Sequence, residues 1–194
     1  GGVANVTWIG ADDTLVSFDT GPGNALIDDW MFEREGSTHD VNGQFAFTGN
    51  VDETVLQKLL SQPYFDRPPP KSLDRDAFDV GLVQSLTNAD GTATLTAFTA
   101  GSIACGEHHF PSPPRSWLVT GGGRKNLALM AALRARLNAP IDQVENVGWN
   151  GDALEAQAFA YLAVRSLRQL PLTYPGTTGV ASPTRGGHLY KVMG

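Results

Sequence analysis

Two short stretches hold residue types that could act on a phosphorylated ligand. The first is Asp19-Thr20-Gly21-Pro22-Gly23-Asn24. A carboxylate at the end of a strand, followed by a glycine-rich turn, projects a base at a sheet edge. The glycines beside it let an anion approach the backbone N–H groups. The same residues also make an ordinary tight turn, with Asp19 bonding its own loop. The second stretch is Thr120-Gly121-Gly122-Gly123, placed between an apolar strand and a helix start. Such a loop can lie flat against a nucleotide, or it can simply be a close-packed turn. It lacks the terminal Gly-Lys-Ser/Thr of a Walker loop, and it is not GxGxxG. A third pair, Asp152 and Glu155, has the spacing of a capping box. It could equally present a carboxylate to a polar ligand from the first turn of a helix. His108 and His109 are adjacent, and neighbours on a helix point in different directions. They therefore read as a solvated helix end, and no metal site is expected. His39, His188 and Cys105 suggest no triad.

The elements that must position these groups alternate. Residues 3–9 and 14–18 read as strands around a turn at 10–13, an antiparallel hairpin. A helix follows over 25–35, with Leu26, Ile27, Trp30 and Met31 at helical spacing. Asn50 and Glu53 read as N-cap and N3 of a helix ending before Pro63. Pro68-Pro69-Pro70 cannot lie in a helix or a central strand, so residues 65–72 are either a linker or the wall of a cleft. Helices are expected over 76–86 and 93–106. A strand over 116–120 leads through the three glycines to a helix opened by Asn126, with Met130, Leu133 and Leu137 on one face. A short strand covers 140–144. Residues 152–169 read as the longest helix, apolar around much of its circumference and so largely buried. The tail after Pro171 is irregular. This order gives an α/β class with a mixed sheet flanked by helices.

Composition narrows the functional classes. The chain has 194 residues, room for one domain with a real core. Lys and Arg number 14 against 20 Asp and Glu, a formal charge of −6. That balance disfavours nucleic acid or an anionic membrane as a partner. Cys105 is the single cysteine, so no intrachain disulfide forms, which suits a reducing compartment. There is no long apolar run and no signal-peptide pattern. The chain opens on Gly1-Gly2 directly before a strand and is expected to be an interior fragment.

Taken together, the motifs resemble one family. Gly1-Gly2-Val3-Ala4-Asn5-Val6 is similar to the Gly-Gly-x-x-Asn-Val strand of the anhydro-N-acetylmuramic acid kinases. Phe18 to Asn24, with Asp28 and Trp30, resembles the most distinctive signature of that family. Pro70-Lys71-Ser72 resembles its Pro-Lys-Ser loop. Gly121-Gly122-Gly123, Asn126, Leu129 and Met130 resemble its adenosine loop, and Glu155 to Ala163 its C-terminal helix. The resemblance implies a ribonuclease H-like domain of the actin-like ATPase superfamily. It makes residues 1–194 the single C-terminal domain of a two-domain sugar kinase, without the N-terminal phosphate-loop domain. It implies ATP and Mg²⁺, a cytoplasmic location and a tendency to dimerise. By position, Asp19 would be the general base, and Gly21, Gly23 and Asn24 would line the phosphate side. Gly121, Gly122, Gly123 and Asn126 would hold the nucleotide, and Glu155 the sugar. Another actin-like ATPase domain, or a non-catalytic nucleotide-binding or assembly module, is the alternative reading.

Overall fold

The computed structural model describes residues 2–190. Gly1 and residues 191–194 lie outside the described residues. Two strands open the chain: β1 (Ala4–Ile9) pairs antiparallel with β2 (Leu15–Gly21). The register places Val6 opposite Phe18 and Asn5 opposite Asp19. β2 is longer than expected and runs through Asp-Thr-Gly, so the turn begins at Pro22 and not at Asp19. The carboxylate therefore stands on a strand and not on a loop.

Two helices follow, α1 (Ala25–Glu35) and α2 (Glu53–Leu60). α1 buries Leu26, Ile27, Trp30 and Met31, as its spacing predicts. α2 is capped by Asp52, whose side chain accepts from Val55 N–H at 2.9 Å. The expected Asn50 cap is wrong, because the Asn50 N–H is donated to Asp90 instead. The helix expected over 76–86 is also absent. Asp79 accepts from Gly81 N–H and opens a short 3₁₀ turn, Val80–Val83. A glycine and a side chain competing for backbone N–H groups both oppose an α-helix there.

The longest helix is α3 (Asn88–Cys105), capped by Thr87. It begins five residues before the expected start. All of residues 91–102 are buried, although most are Ala, Thr, Gly or Ser. Small side chains let neighbouring elements approach from every direction. Two of the buried hydroxyls bond within the helix, Thr92 donating to Asn88 O and Ser102 to Thr99 O, while Thr99 reaches across to Gly23 O at 2.6 Å. α3 supplies Leu95, Ala97 and Phe98 to one apolar cluster, with Trp30, Leu59, Phe65 and Phe78. It supplies Ala100 to a second, with Leu129, Met130, Leu133 and Ile141.

The second cluster lies under β3 (Trp117–Val119), α4 (Leu127–Arg136) and β4 (Ile141–Gln143). β3 and β4 pair in parallel, with α4 as the crossover. Asn126 caps α4 as expected, accepting from Leu129 N–H at 2.9 Å. The strands of the described residues thus form two two-stranded sheets, one antiparallel and one parallel. The single mixed sheet expected from the sequence is not observed.

The last long helix, α5 (Leu154–Leu167), departs most from expectation. None of its residues is buried. Phe159 is 65% exposed and Leu167 62%. Its apolar pattern encodes a surface to be covered, and no described element covers it. A short α6 (Pro175–Thr178) and an isolated bridge between Thr173 and Thr184 order the tail. No helix among the described residues is long and apolar enough to cross a membrane.

Candidate functional site

Asp19 is held from outside its own hairpin. Its carboxylate Oδ2 accepts from Leu73 N–H at 2.8 Å. Its backbone N–H donates to Lys71 O at 3.0 Å, and its carbonyl accepts from Tyr64 Oη at 2.6 Å. The alternative in which Asp19 bonds its own turn is therefore not what the fold adopts. The proline-rich segment, ambiguous between linker and wall, packs directly on this residue.

Beyond Asp19 the chain tightens. Gly21, Pro22 and Gly23 are buried. A Cβ on Gly21 would collide with the side chain of Ser102. Gly23 has φ of +55°, and a Cβ there would lie 2.8 Å from Ala4 N. Close packing alone thus requires both glycines. Asn24 leads out of the turn as the N-cap residue of α1, but its side chain makes no capping bond.

That side chain turns instead to the second glycine loop. Gly123 carries its Cα where a Cβ would stand 3.4 Å from Asn24 Oδ1, and Gly122 faces Asn24 Nδ2. Gly121, at φ +72°, has open space around it. The two glycine stretches, about a hundred residues apart in sequence, meet at Asn24. Between them lies a cavity of about 360 Å³, lined by Asn24, Asp28, His39, Gly122, Lys125 and Asn126 among others. It is of a size that takes a small ligand. Asp19, Gly21, Gly23, Gly121, Gly123 and Glu155 do not line it. Residues 38–42 do, and nothing in their composition marked them beforehand.

Asp40, whose carboxylate accepts from Phe45 and Ala46 N–H, lines this cavity, and so does Asp28. Burial pushes the Asp28 carboxyl above the usual range, and the neighbouring Asp29 adds to this, while His39 and Arg75 oppose it. A group raised in the fold relative to the unfolded chain favours folding while protonated and loses that contribution as it ionises. Asp28→Asn is therefore expected to raise the thermal midpoint at pH 7 by a few degrees at most. The gain should fade as the pH falls through the carboxylate range near 4. A midpoint difference that grows on acidification would contradict this.

The charges beside the glycine loop are already matched. Arg124 is only 4% exposed. It donates to Gly121 O, Glu145 and Asp152, each within 2.9 Å, and the pairing raises its pKa further. Lys125 pairs with Asp152 at 2.8 Å. Both carboxylates are held below their usual range by these cations. Asp152 is thus not part of a capping box: α5 is capped at Ala153, without a side-chain bond. Glu155 stands exposed in the first turn of α5. His109 is not a solvated helix end either, since its Nε2 lies 3.0 Å from Phe65 O and 3.2 Å from Lys71 Nζ. Among the described residues no group of three His, Cys, Asp or Glu side chains could hold a metal ion.

A family model described as anhydro-N-acetylmuramic acid kinase matches residues 1–192. The chain belongs to that family. It is 57% identical to the anhydro-N-acetylmuramic acid kinase of Rhodospirillum rubrum over 188 residues, covering 96% of this chain and 50% of the relative. The corresponding protein of Paramagnetospirillum magneticum is 55% identical, over 96% of this chain and 54% of the relative. That of Rhizorhabdus wittichii is 52% identical, over 98% and 53%. The chain spans about half the length of these curated family members.

Proposed function

We propose that the chain is the C-terminal domain of an ATP-dependent anhydro-N-acetylmuramic acid kinase. On this reading the whole enzyme opens the 1,6-anhydro ring with water and phosphorylates O6. The product is N-acetylmuramic acid 6-phosphate, formed in the cytoplasm during cell-wall recycling. The observation that carries the reading is the family match over nearly the whole chain, joined to a strand-borne carboxylate at the motif position. We assign the finer fold as ribonuclease H-like, its two small sheets being parts of one architecture of hairpin and parallel crossover.

In the assigned mechanism Asp19 removes a proton from water as the water oxygen bonds to the anomeric carbon. The C1–O6 bond breaks, and O6 takes the γ-phosphoryl group of ATP as the bond from Pγ to the β-phosphate oxygen breaks and ADP leaves. A positioned carboxylate contributes roughly 10²–10⁴-fold to such a step. Gly21, Gly23 and Asn24 are assigned to the phosphate side. Gly121 to Gly123 and Asn126 are assigned to the nucleoside, and Glu155 to the sugar.

The residues present fit a nucleotide. The cavity at Asn24 is nucleoside-sized, and Gly122 and Asn126 of the second glycine loop are in its lining. Mg²⁺ would be held mainly by the phosphates and water, as is usual for this ion, and would supply charge neutralisation.

The nucleotide assignment is tested by Gly122→Val in the full-length enzyme. A Cβ at Gly122 would meet only Asn24 Nδ2, at 3.6 Å, so the fold should tolerate it. The branched side chain should raise the KM for ATP about tenfold, a binding loss near 1.4 kcal/mol, with a smaller change in kcat. An unchanged KM accompanied by a lower thermal midpoint would mark the loop as merely a turn.

A further inference from the structure

Lys71 presents an unusual expense: a lysine only 7% exposed, in a proline-rich segment without regular structure. Buried charges are tolerated only when well partnered. Lys71 Nζ donates to Tyr64 O and Phe65 O, both at 3.1 Å. His109 Nε2 lies 3.2 Å away and completes three acceptors for three protons when it is unprotonated. In the other tautomer His109 donates to Phe65 O instead. The ammonium also sits 4.7 Å from the Tyr64 ring centre and 5.5 Å from that of Phe18. Burial lowers the pKa of this lysine, and Arg67 adds to the effect.

The partners of Lys71 are also the neighbours of Asp19. Phe18 precedes Asp19 on β2, and Tyr64 donates its hydroxyl to Asp19 O. The Lys71 carbonyl receives the Asp19 N–H, and two residues on, Leu73 N–H reaches Asp19 Oδ2. Burial, with Asp19 nearby, pushes the Tyr64 hydroxyl up to about 12, so it remains a donor at any working pH. Residues 64–73 thus close on Asp19 from three directions, and Lys71 ties the two ends of that segment together.

We propose that Lys71 is a positioning residue. It locks segment 64–73 so that Leu73 occupies Oδ2 of Asp19 and leaves Oδ1 to face the reacting water. The proposal rests on the reading of Asp19 as general base. A carboxylate displaced by about 1 Å can lose roughly 10²-fold in rate, so the lock bears on turnover more than on ATP binding.

The test is a double-mutant cycle in the full-length enzyme. Lys71→Met keeps the aliphatic stem and removes the ammonium. Tyr64→Phe removes only the hydroxyl that holds Asp19 O. Each should lower kcat by roughly tenfold or more, with the KM for ATP within twofold of the parent. In an Asp19→Asn background each should cost little further, because groups acting as a unit are not additive. Full additivity in that background, or parental kcat in Lys71→Met, would overturn the positioning role. If Lys71→Met does not fold, Lys71→Gln, which keeps a donor for the carbonyls of Tyr64 and Phe65, takes its place in the same cycle with the same deciding outcomes. If Asp19→Asn itself keeps parental turnover, the general-base reading is what fails.

Discussion

Asp19→Asn in the full-length enzyme is expected to lower kcat by roughly 10²-fold or more, the scale of losing a general base. Asn is nearly isosteric, and its side-chain oxygen can keep the bond from Leu73 N–H. The backbone bonds to Tyr64 and Lys71 do not involve the substituted atoms at all. Thermal midpoint and ATP affinity should therefore stay near the parent. The amide cannot take a proton from water at neutral pH, which isolates the chemical step. In the parent, ¹⁸O from labelled water should enter at the anomeric carbon; in the variant that incorporation should fall with kcat. Turnover near the parental level, or a loss accounted for by unfolding, would refute the assignment.

Residues 1–194 alone are expected to show no measurable kinase turnover with ATP, Mg²⁺ and anhydro-N-acetylmuramic acid. Phosphoryl transfer depends on positioning and charge neutralisation, and this chain has little free positive charge to offer at its glycine loops. Arg124 is committed to Glu145 and Asp152, and Lys125 to Asp152. The chain also spans about half of its relatives' length, so the γ-phosphate would meet one wall of its site. An ADP-release assay on the purified chain checks this. Turnover near one per second, the low end for enzymes, would overturn it.

Local chemistry carried much of this fold into the sequence. The first strand, the apolar stripe of α1 and the Asn126 cap all rest on contacts within a few residues. The two glycine stretches were legible as tight turns for the same reason. Their meeting at Asn24 was not, because it depends on α3 and α4 packing together. The surroundings of Asp19 were equally hidden: its partners lie 45 to 54 residues away, in a segment whose prolines announce only what it cannot be. α3 was legible over most of its length, but its start was placed five residues late and its burial on every side was missed, because the buried residues are largely Ala, Thr and Gly. A helix of that kind has no stripe to detect. α5 misled in the opposite way. Its apolar residues were read as core, whereas none is buried and Phe159, Tyr161, Val164 and Leu167 stand exposed.

The double membership of α3 decides how the chain comes apart. Two small sheets that share no ladder would ordinarily be free to melt one after the other. Here Phe98 is wedged in one apolar cluster and Ala100, two residues on, in the other. Loosening either cluster withdraws a wall from a helix that both require. Coupling between the two clusters is thus vested in a rod of small side chains rather than in a continuous sheet. A cavity or an added methyl group in α3 should be felt at both ends of the molecule, as a shift in the single unfolding midpoint rather than the appearance of an intermediate.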